Sequence, residues 1–333
     1  MKMLRALKTM VCSLGLLTAA TAIPVSAEEK LESLNFGIIS TESQQNLKTV
    51  WDPFLKDMSD KLGMEVKAYF APDYAGIIQG MRFDKVDVAW FGNKSAMEAV
   101  DRAGGEVFAQ TVDSEGNPGY WSLLITHKDS PINSVEDMIS QRSKLAFGNG
   151  DPNSTSGFLV PSYYVFAKNN IQPSEFKRTL NSSHEVNLFA VANQQVDVAT
   201  NNTESMRRFE LTNPEKFANI KVIWQSPLIP SDPIVWRKNL PDSAKNEIYS
   251  FFMEYGTSGD EKELAVLKEL GWAPFKPSSD LQLLPIRQLA LFKQLNSLNK
   301  KTSLTKEQAS KLQSAKSKLA VLNRQMSALE AME

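Results

Sequence analysis

The tetrapeptide Val-Asp-Val-Ala occurs twice, at residues 86–89 and 196–199, and each copy closes the same order of predicted elements. The first begins with the short apolar run 34–39, which reads as a buried strand. Ser40, Thr41 and Ser43 follow and are good helix-capping types. Leu47, Val50, Trp51, Phe54, Leu55, Met58 and Leu62 then recur at helical spacing and stop at Gly63. A strand over 64–70, a short helix over 74–82 and a strand over 86–90 complete the unit. The second unit repeats the plan: a strand over 144–148, an apolar helix over 158–167 and a strand near 178–181. A helix over 186–193 and a strand over 196–200 end it. Four shared residues alone mean little. The same order at similar spacing implies two related βαβ-rich lobes. Alternating strands and helices predict mostly parallel sheets with helices on both faces. Ligands then bind beyond the carboxyl ends of the strands. Those ends hold Ser40 and Thr41, Asp73 and Tyr74, the run 149–156, and the run 201–204.

Two stretches read as crossings between lobes. Residues 116–120 are turn-rich, and 226–233 contain Pro227, Pro230 and Pro233. The resulting division is a first lobe over 28–115 and a second over 116–232, followed by a return to the first lobe over 233–280. This puts Tyr120 and Asp232 at the hinge, under the cleft. After Pro241 the chain reads as helical. Leu312, Ala315, Leu319, Leu322, Met326 and Leu329 form a heptad seam, and Leu284, Leu291, Leu295 and Leu298 a less regular stripe. The segment 281–333 is expected to be a helical hairpin that joins two copies into a homodimer; packing onto its own lobes is the alternative.

Lys2, Arg5 and Lys8 precede a mostly apolar stretch, and Val25, Ser26 and Ala27 suit cleavage after Ala27. The apolar stretch is short for a membrane span. The chain is therefore expected to be exported to a bacterial periplasm. Cys12, the one cysteine, falls in this leader, so no disulfide or cysteine metal site is expected in the mature chain. Removing the three basic residues leaves a modestly acidic protein, which does not suggest nucleic acid or an anionic membrane as partner.

The segment 148–157 follows a strand and opens a helix. Its Ser154, Thr155 and Ser156, with the unpaired N–H groups and positive dipole end of the helix, suit a tetrahedral oxyanion. It lacks the Lys-Ser/Thr of a nucleotide loop. An ordinary capped helix is the alternative. His184 also precedes a helix, where it could donate to an anion or serve as a surface cap. His127 is the only other histidine, and the two make no convincing metal site. Glu204 and Asp232 each follow a strand-end turn. Beside an anion site they make sense if the ligand also carries a cation; otherwise they are solvated or capping groups. Ser154, His184 and Glu204 could be written as a hydrolase triad, but no Gly-x-Ser-x-Gly elbow is present.

The runs 35–46, 70–81, 148–161 and 226–236 resemble the phosphonate ABC-transporter substrate-binding proteins of enterobacteria, across nearly the whole mature chain. The resemblance implies a two-lobed type II periplasmic-binding fold, here with a C-terminal helical extension, and a binding protein without catalysis or cofactor. It implies that Ser154, Thr155 and Ser156 bind the phosphonate and that Tyr74, Tyr120 and His184 complete the oxyanion pocket. Glu204 and Asp232 look like the pair that receives the ammonium of 2-aminoethylphosphonate. A membrane permease is the implied partner. Phe91 departs from the family, which carries a tyrosine there, and the distal C-terminal helix matches less well. A phosphate or phosphite receptor of the same fold is the nearest alternative.

Overall fold

The aspartates of the two Val-Asp-Val-Ala copies hold two strands in the same way. The Asp87 N–H donates to Asn35 O at 2.9 Å. Its carboxylate accepts the Asn35 N–H at 2.7 Å. Asp197 does this to Ala146, with N–H to O at 2.9 Å and the carboxylate accepting at 2.6 Å. The duplicated motif thus clamps the first strand of each unit against the third. A computed structural model of the protein describes residues 31–301 and 303–331. The expected leader, with Cys12 and the cleavage point after Ala27, lies outside them.

The first lobe opens with β1 (Ser33–Ile38), α1 (Gln44–Leu62), β2 (Glu65–Tyr69), α2 (Tyr74–Arg82), β3 (Val88–Trp90), α3 (Asn93–Arg102) and β4 (Gly105–Asp113). Gly63 ends α1 in the left-handed conformation. The chain crosses at β5 (Gly119–Tyr120). The second lobe holds β6 (Ser122–His127), α4 (Val135–Gln141), β7 (Ala146–Gly150), β8 (Arg178–Ser182), α5 (His184–Ala192), β9 (Val198–Asn202), α6 (Thr203–Thr212), α7 (Pro214–Phe217) and β10 (Ile220–Gln225). A second crossing, β11 (Ile229–Pro230), leads to β12 (Pro233–Arg237), α8 (Asp242–Glu254), α9 (Glu261–Leu270) and β13 (Trp272–Pro277). Helices α10 (Leu284–Asn299) and α11 (Lys306–Glu330) follow. The crossings pair with each other antiparallel, Ile229 opposite Tyr120. A Cβ on Gly119 would sit 2.1 Å from Ile229 O, so this approach requires glycine. Among the described residues, no helix is long and apolar enough to cross a membrane.

The sheets run β13-β4-β12-β3-β1-β2 and β10-β6-β9-β7-β8. They are mixed, not mostly parallel. β1 pairs parallel with β2 and β3, and β7 with β8 and β9. β4, β12 and β13, like β6 and β10, make antiparallel pairs. The parallel units are the duplicated part; the antiparallel strands flank the crossings, where the chain enters each lobe from its other end. β13 corrects the expectation of helix throughout the region after Pro241. Its Pro274 and Pro277 lie on a sheet edge, where a missing N–H is tolerated. Trp272 and Phe275 turn into the aromatic core of the first lobe, beside Trp51, Phe54 and Phe252.

The helix expected over 158–167 starts earlier and is wound as two π-helical stretches, Thr155–Leu159 and Ser162–Ala167. Leu159 N–H donates five residues back to Ser154 O. Pro161 has no N–H for Ser156 O, which accepts the Ser122 hydroxyl at 2.6 Å instead. Thr200 Oγ1 donates to Gly157 O at 2.7 Å. Side chains of the sheet thus satisfy the carbonyls of the wide winding, a form that often marks functional sites.

The C-terminal seam packs within the chain. Helix α11 lies on α10, Ala315 and Leu322 are buried, and Gln288 donates to Asn323 at 2.9 Å. Helix α10 in turn touches both lobes. Arg287 forms a two-bond ion pair with Asp101 of α3. Phe292 stacks on Tyr163, and Asn296 donates to Ala167 O, both on the second lobe.

The two clamping aspartates differ in burial, and this sets their cost. Asp87 is buried and also accepts Arg237 Nε at 2.8 Å, whereas Asp197 is exposed. Asp87→Ala should cost about 3 kcal/mol, because it takes the buried carboxylate from a half-buried guanidinium that keeps only Asp84 at 4.0 Å and Asn239, and leaves the Asn35 N–H without an acceptor. Asp197→Ala should cost about 1 kcal/mol. Urea denaturation of the two variants checks this; equal losses would refute it.

Candidate functional site

The strand ends of both lobes and the two crossings meet around one cavity of about 450 Å³. All eight residues singled out from the sequence line it: Tyr74, Tyr120, Ser154, Thr155, Ser156, His184, Glu204 and Asp232.

One end collects neutral hydrogen-bonding groups. The chain turns from β7 into the first π-helical stretch, and Ser154 caps it by accepting the Gly157 N–H at 2.9 Å. A Cβ on Gly150 would lie 2.5 Å from Gly157 Cα, so glycine lets this helix start settle on the strand. Ser154, Thr155 and Ser156 are each 2% exposed. Their hydroxyls sit where a helix offers unpaired N–H groups. Thr155 Oγ1 accepts the Lys94 N–H, across the cleft, at 2.8 Å. Tyr74 comes from the start of α2 and is buried there. Burial, with Asp151 nearby, pushes its phenol proton affinity up, so it stays a donor.

His184 opens α5, and its imidazole lies under the serines. Nε2 is 3.4 Å from Ser154 Oγ and 3.3 Å from Asn202 Nδ2. Asn202 Oδ1 accepts the Ser205 N–H at 2.7 Å, which fixes the amide so that its NH₂ faces the imidazole and Ser156. Nε2 is therefore the acceptor and Nδ1 carries the hydrogen. Nδ1 is buried with no hydrogen-bond partner among the described residues. Burial lowers the imidazole to about 4, so it is neutral at pH 7. Among the described residues no carboxylate hydrogen-bonds His184, so the Ser154–His184–Glu204 triad is not assembled.

The other end is acidic and aromatic. Asp232 stands where the second crossing enters β12, 5% exposed. Its Oδ1 accepts the Tyr120 hydroxyl at 2.9 Å and its Oδ2 the Trp90 indole N–H at 3.2 Å. Glu204 lies in the first turn of α6, which Asn202 caps. Burial raises the proton affinity of both carboxylates, and the charge of Glu204 raises that of Asp232 further. Arg207, one turn beyond Glu204, is committed to Asp113 at 2.8 Å and Glu115 at 3.1 Å. Trp90 and Asn202 were missed as site residues. Their signal was positional: Trp90 directly follows the first Val-Asp-Val-Ala, and Asn202 stands three residues after the second. Phe91 is fully buried among apolar residues and brings no polar group.

Polar contacts join the lobes around the cavity. Asp151 Oδ2 accepts the Tyr74 N–H at 3.3 Å, and Asn153 Oδ1 accepts Lys94 Nζ at 3.2 Å. Glu185 accepts the Ser43 N–H at 2.6 Å, and Arg208 pairs with Glu42. The two lobes thus touch around the cavity.

Residues 36–283 match the family described as the periplasmic substrate-binding protein of phosphonate ABC transporters. The chain is 63% identical over 310 residues to the phosphonates-binding periplasmic protein of Escherichia coli K12, covering 93% of this chain and 91% of that protein. A crystal structure of a binding protein component of a phosphonate ABC transporter from Pseudomonas aeruginosa has a TM-score of 0.87 at 62% identity. It covers 90% of this chain and 100% of that one. A Prochlorococcus marinus protein solved with methylphosphonate has a TM-score of 0.70 at 22% identity, over 81% of this chain and 99% of that chain, and shares the fold. The fold is thus the type II periplasmic-binding fold with a C-terminal helical region.

The charge state of the cavity sets a pH dependence. Glu204 and Asp232 bind protons more tightly folded than unfolded, so their contribution to stability is full below ordinary carboxylate values. It is lost as pH rises through the raised ones. His184 acts oppositely: its contribution is present above 6.5 and lost as pH falls toward about 4. A Glu204→Gln, Asp232→Asn double variant loses the contribution of these two carboxylates and keeps that of the histidine. Without ligand it should gain stability relative to the unmodified protein between about pH 5 and pH 7.5. Thermal midpoints at both pH values check this; a constant difference would mean the carboxylates titrate normally.

Proposed function

The chain belongs to the family of periplasmic substrate-binding proteins of phosphonate ABC transporters, and from that premise we propose that its ligand is 2-aminoethylphosphonate. It is the periplasmic phosphonate-binding component of such a transporter, and its relatives are transport proteins, not enzymes. The observation that carries the choice of ligand is the polarity of the cavity. Hydroxyls at a helix start lie at one end, and two carboxylates without a committed cation lie at the other.

In this reading the phosphonate oxygens accept from the Ser154, Thr155 and Ser156 hydroxyls and from the helix-start N–H groups. Tyr74 contributes its phenol, and His184, whose Nε2 lies beside Ser154 and Asn202, completes the pocket beneath them. The ammonium lies between Asp232 and Glu204, with Tyr120 and Trp90 holding Asp232 in place. A bare anion would meet two carboxylates there; a zwitterion offsets their desolvation. The contributing residues come from both lobes and both crossings, so the ligand is captured by hinge closure. The loaded form is then recognised by the membrane permease. Cleavage after Ala27 would release the mature protein into the periplasm. Self-association into a homodimer would use the positions of α11 that α10 leaves partly open, Leu312, Leu319, Met326 and Leu329. Sedimentation of a chain lacking residues 304–333 should give a monomer that still binds phosphonate.

Two sets of substitutions separate the ends of the ligand. Asp232→Asn and Glu204→Gln should each weaken 2-aminoethylphosphonate by about 10–150-fold, the loss of a charge-assisted hydrogen bond of about 1.5–3 kcal/mol. Methylphosphonate, which has no ammonium, should be little affected. Ser154→Ala and Thr155→Ala should weaken both ligands. Calorimetry with the two phosphonates, phosphate and sulfate decides the matter. Equal losses for both phosphonates would make the carboxylates structural, and tight binding of phosphate alone would make the protein a phosphate receptor.

A further inference from the structure

The cavity has an apolar wall beside its carboxylates. Trp51, Trp90 and Trp272 line that side, together with Leu47 and Val50 of α1. The three indoles are mutual neighbours, with ring centroids 5.6 Å apart for Trp51–Trp90, 5.7 Å for Trp90–Trp272 and 5.4 Å for Trp51–Trp272. Trp90 is anchored to the acidic end, because its N–H donates to Asp232 Oδ2. Trp272 is drawn to the same end, because Arg207, one turn beyond Glu204, reaches Gly271 O at 3.5 Å. Carboxylates and tryptophans therefore form adjoining walls of one space. A volume of about 450 Å³ lies in the range of pockets that hold drug-sized ligands, and a two-carbon aminophosphonate does not fill it.

We propose that the site also accepts 2-aminoethylphosphonates bearing one alkyl group on nitrogen, with that group lodged against the three tryptophans. This rests on the reading of the cavity given above. A primary ammonium has three N–H donors and meets two carboxylates, Asp232 and Glu204. That leaves one donor without a carboxylate, and Trp90, bonded to Asp232, puts the aromatic wall beside it. A secondary ammonium keeps its charge and two donors, one for each carboxylate, and places its alkyl group on apolar surface. An N-acyl group would remove the charge and leave both carboxylates unpaired. A second or third methyl would remove a donor that a buried carboxylate needs.

The test is a ligand series titrated calorimetrically into the full-length mature protein: the parent, its N-methyl, N-ethyl, N,N-dimethyl and N,N,N-trimethyl derivatives, and the N-acetyl compound. N-methyl and N-ethyl should bind within about threefold of the parent. The dimethyl compound should fall by about tenfold or more, and the trimethyl and acetyl compounds further. A tenfold loss at the first methyl would overturn the proposal while leaving the ligand assignment intact. Undiminished binding through the trimethyl compound would also overturn it, by showing that charge alone is recognised. Failure of the parent itself to bind would remove both the ligand assignment and this extension.

Discussion

Asp232 places a carboxylate between two lobes with, among the described residues, only neutral side-chain donors, Tyr120 and Trp90, on its oxygens. Much of the cleft is arranged around that constraint. The Tyr120 hydroxyl comes from one crossing and Asp232 from the end of the other, so their hydrogen bond sits on the hinge itself. The Asp232 N–H is taken by Thr111 Oγ1 at 3.1 Å, which ties the residue to β4. Glu204 adds a second negative group from α6. Desolvating two carboxylates near one another is unfavourable unless they are protonated or a cation arrives. The nearby Arg207 does not relieve them fully, because Asp113 and Glu115 occupy it. Such strain in a cleft is the expected mark of a functional site, kept at some cost to stability.

The opposite end of the cavity solves the complementary problem with neutral donors. Serine and threonine hydroxyls, a phenol and helix N–H groups are gathered there, a set of neutral donors whose chemistry suits an oxyanion. The π-helical winding matters here. Ser122 and Thr200 of the second sheet satisfy the carbonyls of Ser156 and Gly157, which fixes the helix start against its strands. Asn202 then does two tasks, capping α6 below Glu204 and holding Ser156 and His184 through its amide. One residue thereby links the two ends of the site. Helix α10 adds a tie outside the cleft, since it contacts α3 of the first lobe and the second π-helical stretch of the other.

Legibility in the sequence followed local physics. Helix α2 was expected over 74–82 and is found at Tyr74–Arg82, because Asp73 caps it and its apolar positions repeat at helical spacing. The duplicated aspartate marked equivalent strands, and Asp87 and Asp197 do make equivalent bonds. The eight residues that the structure gathers around one cavity could be singled out because strand ends in such folds carry the unusual polar types, and the family resemblance sorted them. Features that depend on distant partners were not legible. β13 reads poorly as a strand because Pro274 and Pro277 break its pattern, and only its edge position makes them tolerable. The π winding depends on hydroxyls from β6 and β9. Trp90 ends an expected strand, and nothing local marks its indole nitrogen as the partner of Asp232, 142 positions away. The leucine seam of α11 correctly signalled a partner helix, but α10 of the same chain buries Ala315 and Leu322.

The account stands on the orientation of a zwitterion between these two ends. A crystal structure with 2-aminoethylphosphonate measures that directly. The phosphorus should lie at the helix start, with its oxygens within hydrogen-bond reach of Ser154, Thr155 and Ser156. The nitrogen should lie within reach of both Asp232 and Glu204. A ligand with its nitrogen in solvent, or with its phosphonate turned toward the carboxylates, would contradict the account.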